Sequence, residues 1–311
     1  MRAEQFADRP PKRQPQPTTY PVLATEPATT VDRSAGAFAE PRFLAEREFG
    51  KDCLTILIRG ARCPLRCRMC DLHRDMIGDG PTPPGSVPAQ VHMAMSDRPS
   101  PDIVKLYNAG SFFDRRAVPP ADHAAIAGEV VGVGRTVVEN HPRFGSSRAI
   151  ECFAGSIGGR LEIAVGLETV RPGGLRFLDK RFDRDDFDRF ANFLRRADID
   201  LRTFVIVGWP GDDATESIRW ARATVRHAAA AGSRVATLIP ARAGEGWGGR
   251  ADRLPTIDAA VLEDAAGVCD DDSHRSGSAC RVAVDTWDLP DGPVKRRLIE
   301  RQAEAPSGRG G

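Results

Sequence analysis

Three cysteines fall within eight residues, CPLRCRMC, at Cys63, Cys67 and Cys70. Thiolates at this spacing suit a soft or borderline metal: zinc, copper(I) or an iron–sulfur cluster. Three sulfurs cannot pair off as disulfides, and a closed structural zinc site takes four ligands. Two readings stay open. Either Cys53, His73 or a distant cysteine completes a zinc site, or the loop fills three corners of a cubane and leaves one iron without a protein ligand. An open metal position is where chemistry happens.

The elements that must position such a loop are legible as a rhythm. Apolar, β-branched runs occur at 53–60, 102–108, 135–140, 160–168, 201–208 and 234–240. Several are continuously apolar, as strands buried on both faces should be. Helical periodicity lies between them. Phe187, Phe190, Ala191 and Leu194 share one face, as do Ile218, Ala221, Val225 and Ala228, with Gly232 placed to end that helix. Six strand–helix units predict a parallel α/β sheet with right-handed crossovers, either doubly wound or a partial barrel. In both, function sits at the carboxyl ends of the strands. That is where the polar segments fall: the cysteine loop after the first strand, then NAGS, ENHP, GLET, GWPG and PARAGEG. Glu139 and His141 after the third strand, Trp209 after the fifth and Arg242 after the sixth are candidate substrate-pocket residues. There is no GxGxxG turn or P-loop lysine, so a dinucleotide or NTP phosphate cradle is not supported.

The cysteine loop after a first strand, within six strand–helix units, resembles the radical S-adenosylmethionine superfamily. The stretch GLETVRPGGLRFLDKRFDRDDFDRFANFLRRADIDLRTFVIVGWPG is similar to the group holding Elongator's catalytic subunit and oxygen-independent coproporphyrinogen oxidases. VKLYNAGSFFD and VVENHP resemble, more narrowly, the archaeosine-forming radical lyase and its bacterial relatives. The resemblance covers about residues 41–245 and implies a partial (β/α)6 TIM-like barrel. It implies a [4Fe–4S] cluster on Cys63, Cys67 and Cys70, with S-adenosylmethionine on the open iron and a 5′-deoxyadenosyl radical as the agent of hydrogen abstraction. Met69 would pack near the adenine. Asn108, Ala109, Gly110 and Ser111 stand where the family usually has Gly-Gly-Glu to receive the methionine amino group. Glu168 would bind the ribose hydroxyls and Arg181 the methionine carboxylate, while Gly208 and Ile239 would line the adenine slot. Narrower relatives carry extra cysteines after a DLWDL-like segment; this chain has DTWDL at 285–289 and none after it.

Over 311 residues, Lys+Arg total 44 against Asp+Glu 43, so no global basic field draws in nucleic acid. Seven cysteines, an odd count with three in one loop, argue against a secreted disulfide framework. No stretch approaches the roughly 20 apolar residues that span a bilayer, and the expected location is the cytoplasm. The expected organisation is a disordered arm over 1–40, a barrel over 41–250, a C-terminal extension over 251–305 and a frayed tail over 306–311. The expected partners are a small-molecule substrate and a flavodoxin- or ferredoxin-type reductant, with no membrane. A tRNA-modifying enzyme is the alternative, and a non-catalytic zinc or cluster scaffold is the alternative of another class.

Overall fold

Each apolar run of the sequence becomes a strand, and two further strands flank them. The structure, a computed structural model, describes residues 41–78, 80–96 and 98–304. The arm expected over 1–40 and the tail expected over 306–311 lie outside the described residues. Strands β1 (Arg42–Glu48), β2 (Lys51–Ile58), β3 (Ile103–Asn108), β4 (Arg135–Glu139), β5 (Arg160–Glu168), β6 (Asp200–Val207), β7 (Ser233–Pro240) and β8 (Arg281–Val284) form one sheet in sequential order. β1 pairs antiparallel with β2, and every later pairing is parallel. A doubly wound sheet reverses strand order at a switch point. Here the order never reverses, so the sheet curls one way into a partial TIM-like barrel.

The six expected strands correspond to β2 to β7. β1 was not foreseen, because RFLAERE lacks a clear alternation. β8, only four residues long, lies within the expected C-terminal extension of helices and strand and pairs beside β7 in the same sheet. The helices are α1 (Ser86–Met95), α2 (His123–Glu129), α3 (Ser147–Ser156), α4 (Gly174–Phe177), α5 (Arg184–Arg196), α6 (Ala214–Ala230), α7 (Ala259–Arg275) and α8 (Pro293–Ala303). Local chemistry fixes their starts. Asp183 and Asp186 form a reciprocal capping box on α5, and Asp213 and Asp258 cap α6 and α7. The α5 face is buried through Phe187, Ala191 and Leu194, and α6 through Ala221, Val225 and Ala228. At the end of α8, the Gln302 carbonyl accepts from Phe49 N–H while its side-chain oxygen accepts from Val284 N–H. One residue thereby ties the β1–β2 turn to β8.

The two faces of the sheet differ, and the difference positions the site. Outward-facing Ile56, Leu106, Val138, Val165, Val205 and Leu238 are all 0% exposed, packed in the main cores. Inward-facing Leu57, Tyr107, Glu139, Phe204, Ile206, Thr237 and Ile239 are only half-buried. The lower interior is closed instead by a charge network. Arg202 donates to both oxygens of Glu48 at 2.8 Å and to Glu162 at 2.6 Å. Lys105 donates to Glu46 and Glu48 at 2.8 and 3.0 Å. Burial pushes the Glu48 carboxyl up, but the Arg202 and Lys105 charges outweigh it and hold the group well below its usual range. The barrel is plugged below and open above.

Candidate functional site

The cysteine loop leaves β2 at the open end of the barrel. Cys67 is 8% exposed, and Cys63 and Cys70 are half-buried. The loop is gripped from two sides. From one, the Leu178 carbonyl accepts from Arg68 N–H at 3.1 Å, and the Cys67 thiol lies 3.9 Å from the Asp179 carbonyl. From the other, Trp247 N–H donates to the Arg68 carbonyl at 3.2 Å. Trp247 is fully buried, at φ 51°, and its indole N–H donates to the Arg242 carbonyl at 2.6 Å.

Burial raises all three thiols, Cys70 to about 12, and the Lys180 ammonium pulls each back. The three sulfurs are close enough to feel one another's charge. Among the described residues, though, no set of three or more His, Cys, Asp or Glu side chains is already drawn together in ligand geometry. In type and place the donors fit a thiolate-bound metal: soft ligands on one loop, at the carboxyl end of the sheet, with a cation behind them to favour the charged sulfurs.

That cation is Lys180, which no pattern in the sequence singles out. It is 7% exposed, and its ammonium donates to Glu168 Oε1 at 2.9 Å. Burial lowers its pKa, but the charges of Glu168 and then Cys67 outweigh that and raise it. Arg181, the residue expected to reach a carboxylate, is exposed and pairs with Asp179 at 2.9 Å. Asp179 and Arg181 both have left-handed backbone, at φ 57° and 60°, and the turn they make sends the intervening lysine inward. No periodicity could have chosen between two adjacent cations. Glu168 sits where expected, ending β5 at φ 65° beside a bulge. Its carboxylate crosses Gly166 so closely that a Cβ there would stand 2.2 Å from Oε1; only glycine leaves room.

The turn after β3 is stitched to the end of β4. Phe112 N–H donates to the Glu139 carbonyl at 2.7 Å, and His141 N–H donates to Ser111 Oγ at 3.0 Å. Ser111 is 2% exposed and Asn108 6%, with Ala109 and Gly110 half-buried between them. Among the described residues, Asn108 Oδ1 is buried without a hydrogen-bond partner. Such an acceptor at the open end of the sheet fits a ligand that brings a donor, such as an amino group.

The four candidate pocket residues part company. His141 uses both ring nitrogens inside the fold: Nε2 meets the Lys180 carbonyl at 2.6 Å, and Nδ1 accepts from Arg143 N–H at 3.2 Å. Burial, then the Lys180 charge, lower its pKa to about 4, so it is a neutral latch on the lysine turn. Trp209 packs against Phe177 and Trp247, with ring centroids 5.1 and 5.6 Å away, beneath the Arg171 guanidinium. Arg242 is held by Asp285 and Asp288. Of the four, Glu139 faces inward from the sheet, and among the described residues no cation pairs with it. Gly208, at φ 110°, would meet Ala241 at 2.9 Å if it carried a Cβ, and half-buried Ile239 faces the interior. Met69 is half-buried, with its backbone pressed against Gly244.

No family model matches the chain, and no curated protein does. Solved structures do. SuiB from Streptococcus suis superposes with a TM-score of 0.53 at 10% identity, over 74% of this chain and 48% of SuiB. Its S-adenosylmethionine-bound form gives 0.51 at 9%, over 76% of this chain and 53% of that one. The methylornithine synthase PylB gives 0.52 at 12%, over 83% of each chain. This chain spans about half the length of SuiB. Among the described residues no helix is long and apolar enough to cross a membrane. What the chain shares with these proteins is the fold, and its cysteine loop occupies the strand end where such a fold places chemistry.

Proposed function

We propose that the chain is a radical S-adenosylmethionine enzyme acting on a small molecule admitted to the upper barrel. The observation that carries this reading is the buried Lys180 ammonium, set between the Glu168 carboxylate and the three-cysteine loop. Cys63, Cys67 and Cys70 would hold a [4Fe–4S] cluster, and Glu168, Lys180 and Asn108 would meet the ribose, carboxylate and amino groups of S-adenosylmethionine. When bound, these cofactors supply a 5′-deoxyadenosyl radical that takes hydrogen from the substrate. The protein's own residues set the conditions. Lys180 offsets the accumulated negative charge of thiolates and carboxylate. Gly166 lets the Glu168 carboxylate lie flat across the strand end. The Trp247 loop covers the cysteine loop on its β7 side and restricts water there. A flavodoxin- or ferredoxin-type protein would provide the electron.

The likeness to the S-adenosylmethionine-bound form of SuiB supports the reading at the level of fold. The half-open interior and the balanced charge favour a small substrate over tRNA. The decisive experiment is anaerobic reconstitution with iron and sulfide, reduction, and chromatography for 5′-deoxyadenosine. The wild-type protein should produce it, and Cys67→Ala should lose both iron and product. One bound zinc without labile sulfide would instead make the chain a scaffold. Tight tRNA binding that weakens steeply with salt would favour the tRNA reading.

A further inference from the structure

The upper interior carries one group that nothing so far employs. By strand alternation and register, Tyr107 on β3, Glu139 on β4, Ala164 on β5, Phe204 on β6 and Thr237 on β7 all point inward. Tyr107 and Phe204 meet edge to face, ring centroids 5.8 Å apart, above a small inner cluster of Cys53, Ile103, Val137 and Ala164. Amid these walls stands the Glu139 carboxyl, with the Glu168–Lys180 pair beside it over inward-facing Gly166. We propose that this chamber takes a small organic cation, an amine protonated at neutral pH, whose ammonium docks between the Glu139 carboxyl and the rings of Tyr107 and Phe204. The proposal rests on the reading above only in calling that molecule the substrate.

Three features argue for a cation. First, a buried carboxylate is ordinarily matched by a positive charge. Among the described residues, the Asn108 N–H favours the ionised form of Glu139; the charges it feels are Glu168, which repels, and Lys180, already bound to Glu168. From the neighbouring strands it faces Tyr107, a neutral phenol, and the Arg202 guanidinium below Tyr107 is committed to Glu48 and Glu162. Second, aromatic walls beside a carboxyl are the surroundings that attract an ammonium ion through charge and the π quadrupole together. Third, the site is reachable. Glu139, Tyr107 and Phe204 are half-buried although they face inward, whereas Leu106, Val138 and Val205, which face the helices, are fully buried. The carboxyl, raised to about 8 by burial and then by Glu168, would ionise when the ammonium arrives.

The test uses the full chain with [13C]carboxyl-labelled glutamate, whether or not a cluster is bound, and needs no turnover. The resonance lost in Glu139→Gln identifies the group, or in Glu139→Asp if the first variant fails to fold. Its titration midpoint is read alone, with n-butylammonium, and with n-butanol as the neutral counterpart. The expected result is a midpoint at least one pH unit lower with the amine and unchanged with the alcohol. Equal midpoints under both additives overturn the proposal. So does a tenfold weaker affinity of Glu139→Gln for S-adenosylmethionine, which would make the cofactor's own cation the partner. If the amine shift is found but no 5′-deoxyadenosine is ever formed, the radical assignment falls and the chamber assignment stands; the reverse result removes only the chamber.

Discussion

Gly244 lies so close to Met69 that a Cβ on it would stand 2.3 Å from the Met69 carbonyl oxygen and 2.4 Å from its carbonyl carbon. Two loops nearly 180 residues apart in sequence thus meet backbone to backbone, and the contact falls directly before Cys70. Gly244 also has φ 52°, where an L side chain costs about 1–2 kcal/mol.

Gly244→Ala should therefore push the cysteine loop off its seat. The neighbour is main chain and cannot swing aside, so the expected loss is about 2–4 kcal/mol in urea unfolding. Iron retained after reconstitution should fall by half or more, because the three sulfurs lose their relative placement. Wild-type iron content in a protein of lower melting temperature would show that the contact serves stability alone.

Lys180→Met leaves the Glu168 carboxylate buried without its cation, a change that typically costs about 3–5 kcal/mol. The folded lysine's pKa lies above its ordinary 10.5. Its contribution is thus whole below that value and fades only as pH climbs through the folded pKa. Urea denaturation at pH 9, where the lysine still keeps its full charge, should show this deficit. Arg181→Met, on the exposed neighbour, should cost under about 1 kcal/mol. Equal effects of the two substitutions would contradict the geometry.

The contrast between these two residues shows what the sequence could and could not convey. Strand positions were legible because burial writes apolar runs, and the site's end of the sheet was legible because glycine and polar residues collect there. The place of Glu168 at a strand end was legible. Lys180 was not, because inward direction depends on the left-handed turns at Asp179 and Arg181, which leave no compositional trace. The same holds for His141: its position suggested a pocket, yet its ring nitrogens are consumed by Lys180 and Arg143, contacts 39 and 2 residues away. β1 has no clear alternation, and its pairing is set by an antiparallel turn at Phe49–Gly50, both at positive φ.

Glu139→Gln should change the pH dependence of stability in a defined direction. The folded carboxyl holds its proton up to about 8, whereas its ordinary value is 4.5. Between those values the folded state binds more protons than the unfolded one, so stability falls as pH rises. Glutamine removes that fall. At pH 5 the variant should melt near the wild type, and at pH 9 it should be the more stable by about 2 kcal/mol, since water entering the chamber lessens the full effect. Parallel pH profiles for the two proteins would place Glu139 in an ordinary solvated setting.

Asn108→Ala separates binding from folding. Among the described residues, the Asn108 Oδ1 atom is buried and unpartnered, and an unsatisfied acceptor of this kind typically costs about 1–3 kcal/mol. Removing it relieves that cost, offset by the small void left behind, so thermal stability should hold or rise slightly. S-adenosylmethionine binding should move the other way. A hydrogen bond from a charged amino group contributes about 1.5–3 kcal/mol, which corresponds to roughly ten- to hundredfold in dissociation constant by equilibrium dialysis. The two signs oppose each other, and that opposition marks a group kept for a ligand. A variant that melts earlier and binds normally would make Asn108 a structural residue of the β3 turn.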